Sequence, residues 1–210
     1  AEPGRVFGDT QTGYVLALAF DLVDQKAPYA ARLAQKIHEN GDKLQTGFVG
    51  TPYLLHALSA HGYTELAYDL LLRREYPSWL YPVTKGATTI WEHWDGQMEN
   101  GDFWSSDMNS FNHYAYGAVA DWVYTVAAGI QTVEEKPGYA AVRIAPQPDK
   151  RLDWLEASVE TRHGLVRSRW EKQRDMWRYE IETPVEAEVV IDGRKTFCRP
   201  GRYIFFSELA

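Results

Sequence analysis

Between Gly86 and Gly117 the chain reads GATTIWEHWDGQMENGDFWSSDMNSFNHYAYG, a stretch that gathers three tryptophans, two histidines and five carboxylates. A carboxyl group can do the acid or base work on a glycosidic bond, and flat rings cover the apolar C–H faces of a pyranose. Glu92 is the leading catalytic candidate. TTIWEHW reads as extended rather than helical, so Ile90, Glu92 and Trp94 share one side of the segment and Trp91 and His93 the other. A carboxylate beside an indole is partly desolvated, which raises its pKa and its value as a base. The competing reading is an ion pair with an arginine that merely ties down the loop. His113 is expected in the first turn of a helix opened by Ser110. There the positive helix end disfavours protonation, leaving a neutral imidazole able to donate to a sugar hydroxyl. A local cap or a satisfied core group is the alternative for this histidine. Trp79, in EYPSWLYP, and Trp94 are candidate walls of a sugar subsite, or else packing beneath the loop. Asp95, Glu99, Asp102 and Asp107 crowd the same loop, where solvation or Asx-type turns account for them as well as chemistry does.

Residue order narrows the reading. TTIWEHWDG followed by MNSFNHYAYGAVADWVY resembles the bacterial α-L-rhamnosidases, inverting enzymes with a six-hairpin (α/α) barrel. GDTQTGYVLAL, TGFVGTPYLLHAL and LLLRREYPSW upstream, and VRIAPQPD downstream, match the same family pattern, so the resemblance covers nearly the whole chain. Leu80 departs from it, standing where family members often have glycine. The resemblance implies that Glu92 is the general base that deprotonates the attacking water and that His113 contacts rhamnose. Trp79, Trp94 and Asp95 are the further substrate-binding candidates. Inversion requires a second, protonated carboxyl about 6.5–9.5 Å from the base. The family supplies that acid from an earlier half of the barrel that this sequence does not contain. The expected function is therefore hydrolysis of terminal α-L-rhamnose from rhamnosides, with this chain alone inactive or nearly so. The rivals are another inverting barrel glycosidase, of the trehalase or glucoamylase kind, and a non-catalytic carbohydrate-binding remnant.

The elements that would position these residues alternate in character. An apolar helix is expected over about Thr12–Val23, an amphipathic one over about Pro28–Asn40, an uncharged one opened by Thr51 and Pro52, and a charged one from Thr64. A further apolar helix is expected from Ser110 to about Ala128, where Asp121 is the one formal charge. Consecutive helices joined by short turns lie antiparallel, so this inner–outer alternation describes two layers of a partial (α/α) barrel. The segments before the inner helices, Gly8–Gln11, Lys43–Gly50 and Tyr76–Asn109, then emerge at one end. Beyond Gly129 the pattern changes to period-two alternation with turns at Arg162–Gly164, Gln173–Asp175 and Asp192–Gly193. The expected fold class is α+β multidomain, with barrel helices over 1–131, a linker over 132–138 and a small antiparallel β-sandwich over 139–210.

Composition bounds the rest. A net charge of −7 and a pI near 5.4 leave no basic stripe for nucleic acid. The single cysteine, Cys198, rules out an internal disulfide. No apolar run reaches the ~20 residues of a membrane span and no signal peptide is read, so a cytoplasmic location is expected. The histidines show no metal-ligand spacing, and no cofactor is called for. Ala1 in place of an initiator methionine fits a processed product or a fragment. Inner helices with uncovered apolar flanks predict self-association or a missing N-terminal partner.

Overall fold

A computed structural model describes residues 4–209. The chain forms two compact units that divide between Val119 and Ala120.

The first unit is built from helices α1 (Gln11–Ala19), α2 (Lys26–Glu39), α3 (Gly47–Ala60), α4 (Thr64–Leu72) and the short α5 (Leu80–Thr84). Thr10 caps α1 by accepting from the Gly13 N–H at 3.1 Å. The helix stops at Ala19 rather than Val23 because Asp21 turns left-handed at φ 54°, and the Leu22 N–H then closes on the Ala17 carbonyl. Gly41 and Gly62 end α2 and α3 by the same device, as their spacing predicts. Helix α3 begins four residues ahead of the expected Thr51–Pro52 start. The Thr51 hydroxyl is paired with that of Thr46 at 2.7 Å instead of capping its own helix, and Pro52 lies one turn in. Helix α4 ends at Leu72 because Arg73 is already extended. Ser78 opens α5, an element without an apolar period long enough to announce it, by accepting from the Tyr81 N–H.

Helices α1 and α3 pack against each other, with α2 against α1 and α4 against α3. The close approach of α1 to α3 depends on Gly50, where a Cβ would stand 3.2 Å from the Thr12 hydroxyl oxygen. Tyr14, Val15, Leu18, Leu54, Leu55 and Leu58 are buried at this contact-rich centre. The charged face of α2 is not simply solvated. Arg32 and Lys36 reach Asp9 at 3.1 and 3.0 Å, and the buried Tyr14 hydroxyl donates to the same carboxylate at 2.6 Å. These three partners, the Tyr14 hydrogen bond foremost, hold the Asp9 carboxyl far below the usual carboxylate range.

The second unit is a sandwich of two four-stranded sheets, in the orders β1–β2–β6–β7 and β3–β4–β5–β8. The strands are β1 (Ile130–Thr132), β2 (Val142–Ile144), β3 (Trp154–Thr161), β4 (Gly164–Gln173), β5 (Met176–Thr183), β6 (Ala187–Ile191), β7 (Arg194–Cys198) and β8 (Gly201–Glu208). The alternation is clean in β5, where Trp177, Tyr179, Ile181 and Thr183 are buried. Val142, Ile144 and Val189 from one sheet share a core with Val166, Trp170 and Ile181 from the other. One pairing, β2 with β6, is parallel, so the sandwich is antiparallel at every strand pair but that one. Asp192 and Gly193, both at positive φ, form the tight turn between β6 and β7 that the Asp-Gly pair predicts.

Two expectations are corrected here. Of residues 132–138, expected as a linker, Thr132 ends β1 and the rest lie in the connection to its paired strand β2 within one sheet. The helix expected from Ser110 to Ala128 begins only at Ala115. It runs as a 3-10 turn to Ala118, an α turn α6 (Val119–Trp122) and a π turn over Val123–Ala127. Its last carbonyls are capped from the second unit's own strands: Trp170 Nε1 donates to Ala127 at 2.8 Å and the Ser168 hydroxyl to Ala128 at 2.6 Å. Those bonds account for why the end of this helix belongs with the sheets.

Candidate active site

The loop between α5 and the 3-10 turn is organised by backbone pairing. The Glu92 N–H donates to the Ser110 carbonyl at 2.9 Å, the His113 N–H to Ile90 at 2.8 Å, and the Thr89 hydroxyl to Phe111. Residues 89–92 are therefore laid antiparallel to 110–113, which brings Glu92 and His113 onto neighbouring pieces of chain. Between them, residues 96–104 close a smaller hairpin through Met98 to Asp102 and Trp104 to Gly96.

The chain bends after Trp91 and turns over 93–96, where the Gly96 N–H donates to the His93 carbonyl at 3.1 Å, and its rings are directed to different neighbours. Trp91 packs edge-on to Phe111 at 4.9 Å and His93 stacks on Trp104 at 3.7 Å. Glu92 and Trp94 turn the other way, toward Tyr116. Trp94 lies on the Tyr116 ring with centroids 3.8 Å apart, and Trp79 meets Trp94 edge-on at 5.3 Å. Burial pushes the Tyr116 phenol up, and Tyr76 and then the charge of Glu92 push it further. Glu92 is half-buried and, among the described residues, its side chain makes no ion pair or hydrogen bond. The arginine pairing that would have reduced it to a loop tie is absent among those residues.

His113 does not sit inside a helix. Its Nδ1 accepts from the Ala115 N–H at 3.3 Å, so it caps the 3-10 turn that follows. The neutral ring is thereby left with its proton on Nε2, a free donor. Phe48 and Tyr114 stack on the ring at 5.1 and 5.5 Å and fix its plane. Ser110 accepts weakly from Asn112 at 3.4 Å and opens no helix.

The remaining candidates fall into two groups. Trp79 is buried, and its indole N–H donates to the Tyr116 carbonyl at 2.9 Å, which makes it the backing of Trp94. Trp79, Ile90, Trp91 and Trp94 line a cavity of about 40 Å³, room for a water but not a pyranose. Asp95 is half-buried, and its charge pushes up the phenols of Tyr76 and Tyr81, in both cases after burial. Asp102 and Asp107 accept from Asn100 and Ser106 in local turns, as Asx chemistry predicts. Among the described residues no cluster of His, Cys, Asp or Glu is set to hold a metal ion.

Sequence reasoning missed Phe48 and Tyr116. Phe48 lies in the Lys43–Gly50 segment, which Gln11 ties down by donating to the Lys43 carbonyl and accepting from the Gln45 N–H. Tyr116, three residues past His113, carries ring contacts to both Phe48 and Trp94. Residues Lys43–Gly50 thus touch the start of α1 through Gln11 and the loop before the 3-10 turn through Phe48 and His113.

Carboxylates set among stacked rings on a scaffold of helical hairpins are the equipment of glycoside hydrolases. Residues 1–127 match the six-hairpin glycosidase domain of bacterial α-L-rhamnosidases, and residues 129–200 match the C-terminal domain of the same enzymes. The chain belongs to the bacterial α-L-rhamnosidase family. It is 45% identical over 175 residues to an α-L-rhamnosidase of Streptomyces avermitilis, covering 82% of this chain and 17% of that protein. An α-L-rhamnosidase of Formosa agariphila is 40% identical over 193 residues, covering 89% of this chain and 21% of the relative. The crystal structure of the Streptomyces avermitilis enzyme complexed with L-rhamnose superposes with a TM-score of 0.92 at 36% identity, over 99% of this chain and 22% of that one. The chain therefore spans about a fifth of the length of these relatives. Among the described residues no helix is long and apolar enough to cross a membrane.

Proposed function

We propose that this chain is the C-terminal part of an inverting α-L-rhamnosidase and supplies the base side of its active site. Glu92 is the general base that takes a proton from the attacking water. Tyr116 and Trp94 cover one flank of it and keep bulk water from the carboxylate. His113 donates from Nε2 to a hydroxyl of the rhamnose, and Trp94, backed by Trp79, is the wall against the sugar's C–H face. Asp95, beside Tyr76 and Tyr81, binds a further hydroxyl. The ligand is taken from the Streptomyces avermitilis structure, which is described as complexed with L-rhamnose.

The observation that carries this reading is the backbone pairing of Glu92 with Ser110 and of Ile90 with His113. It sets a carboxylate with no partner among the described residues and His113 on paired pieces of one loop, beside the rings of Phe48, Trp94 and Tyr116. The acid is assigned to another part of the barrel, since the chain spans about a fifth of its relatives' length. Val49 is 64% exposed and Tyr53 39% exposed on α3, apolar surface that suits cover by those helices or, failing them, a second copy of the chain.

The test is turnover of an aryl α-L-rhamnoside by the 210-residue chain and by a version extended to the full barrel. The extended protein should hydrolyse it to the inverted sugar, seen by proton NMR of the anomeric centre. Glu92→Gln should cost it about a thousandfold or more in kcat, the size expected when an essential base is removed. The short chain should be silent. Turnover by the short chain that Glu92→Gln abolishes would show that the acid lies within it, and full activity of Glu92→Gln in the extended protein would remove Glu92 from the mechanism.

A further inference from the structure

A cavity of about 520 Å³ in the second unit opens on the outer face of the β1–β2–β6–β7 sheet. That volume is within the roughly 300–1,000 Å³ of small-molecule sites. Strand register explains its walls. Val142, Ala187 and Cys198 pair across three strands and point into the core. Their neighbours Arg143, Glu188 and Phe197 form the adjacent cross-strand row and point out. One step to the other side, Ala141, Glu186 and Arg199 also line the hollow, and the small Ala141 between longer side chains is what leaves it empty.

The charges there do not cancel. Lys136 pairs with Glu186 at 3.2 Å, and Arg143 with Glu188 at 3.1 Å. Arg199 lines the same cavity and, among the described residues, its side chain has no acidic partner. The lining holds three cations and two carboxylates, and Lys195 pairs with Glu188 from beside it at 3.3 Å, so the surroundings are net positive and favour an anion. Phe197, two residues before Arg199 in sequence, is 82% exposed, a large ring left in water at the edge of the cavity.

We propose that this cavity binds a carboxylated sugar of the uronic acid class. The guanidinium of Arg199 takes the carboxylate in a bidentate pair, and the Phe197 ring covers the C–H face of the pyranose. Glu186 pairs with one cation, and Glu188 with two, Arg143 on Oε1 and Lys195 on Oε2 at 3.3 Å; the lone pairs left, chiefly on Glu186, accept from ring hydroxyls. A plain aromatic acid would offer them no donor, and a neutral sugar would leave Arg199 unanswered. The site uses residues of the second unit only, so it stands or falls apart from the role given to Glu92.

The experiment is isothermal titration of the 210-residue chain with D-glucuronic acid, D-glucose, acetate and inorganic phosphate. Arg199→Gln and Phe197→Ala are run alongside, their folding checked by circular dichroism. Both residues are exposed, so both variants should fold. D-glucuronic acid should give saturable heat, with D-glucose and acetate at least about tenfold weaker, and each substitution should weaken binding by about tenfold or more. Equal binding of acetate or phosphate would reduce the site to a bare anion contact. Equal binding of D-glucose would remove Arg199 from recognition. No saturable heat with D-glucuronic acid, or unchanged affinity in Arg199→Gln, would overturn the proposal.

Discussion

Trp94 lies nearly parallel to Tyr116, with ring planes 15° apart and centroids at 3.8 Å, although 21 residues of loop and turn separate the two in sequence. This contact, with Trp79 behind it, fixes where the segment carrying Glu92 can run. It also joins the loop to the first unit's helical frame, because Tyr116 touches Phe48 on α3.

Removing the middle ring should therefore loosen the whole loop. Trp94→Ala is expected to cost the first unit about 2–4 kcal/mol, a little under the cost of emptying a fully buried tryptophan site. Trp94→Phe should recover part of that. Denaturant unfolding followed by circular dichroism measures both, and Glu92→Gln, at a half-buried side chain with no partner among the described residues, should leave the midpoint nearly unchanged.

Acid should unfold the first unit through Asp9. Its folded pKa is depressed, so the stabilisation it brings is fully present above the ordinary carboxylate value of about 4 and is lost as pH falls below it. Tyr14→Phe removes the largest cause of the depression and should move the acid-unfolding midpoint to higher pH. Asp9→Asn should flatten the pH dependence below about 4. A midpoint unmoved in both variants would deny Asp9 this role.

Gly129 is the position least tolerant of a side chain. It has φ 76°, and a Cβ there would stand 2.2 Å from the Ala145 carbonyl carbon and the Pro146 nitrogen, both backbone atoms that cannot swing aside. Gly129→Ala should destabilise the second unit by about 3 kcal/mol or more, from left-handed strain plus overpacking. Gly193→Ala, also at positive φ but in open space, should cost only about 1 kcal/mol. Thermal melts of the two variants side by side make the comparison.

The outer face of the β3–β4–β5–β8 sheet carries an alternating lattice in which Glu156 meets Arg167 and Arg169, and Glu171 meets Arg169 and Arg178. The carboxyls of Glu156 and Glu171 are both lowered, each chiefly by its arginine hydrogen bonds. These pairs are partly solvated, so Glu171→Gln should cost only about 0.5–1.5 kcal/mol, and raising the salt to about 1 M should erase most of that difference.

Local chemistry made much of this chain legible in advance. Gly41 and Gly62 ended helices where their spacing said they would, and Asp192–Gly193 turned β6 into β7. The period-two pattern beyond Gly129 marked the strand region, and its turns at 162–164, 173–175 and 192–193 fall between β3 and β4, β4 and β5, and β6 and β7. TTIWEHW, expected to be extended, pairs with 110–113 only in its first part, and residues 93–96 form a turn closed by the Gly96 N–H on the His93 carbonyl.

What the residues could not announce were relationships between distant stretches. Ser110 followed by an apolar run has the form of a helix start, yet the peptide groups of Ser110 and His113 are taken by residues 90–92, and a backbone group bonded across the loop is unavailable to a helix. That pairing delays the helix to Ala115 and turns His113 into a cap for the 3-10 turn that begins there. The parallel match of β2 to β6, the seating of Ala127 and Ala128 under Trp170 and Ser168, and the hollow over Ala141 arise in the same way. Each depends on which distant groups satisfy a backbone or fill a gap, and a linear pattern carries only the local half of that competition.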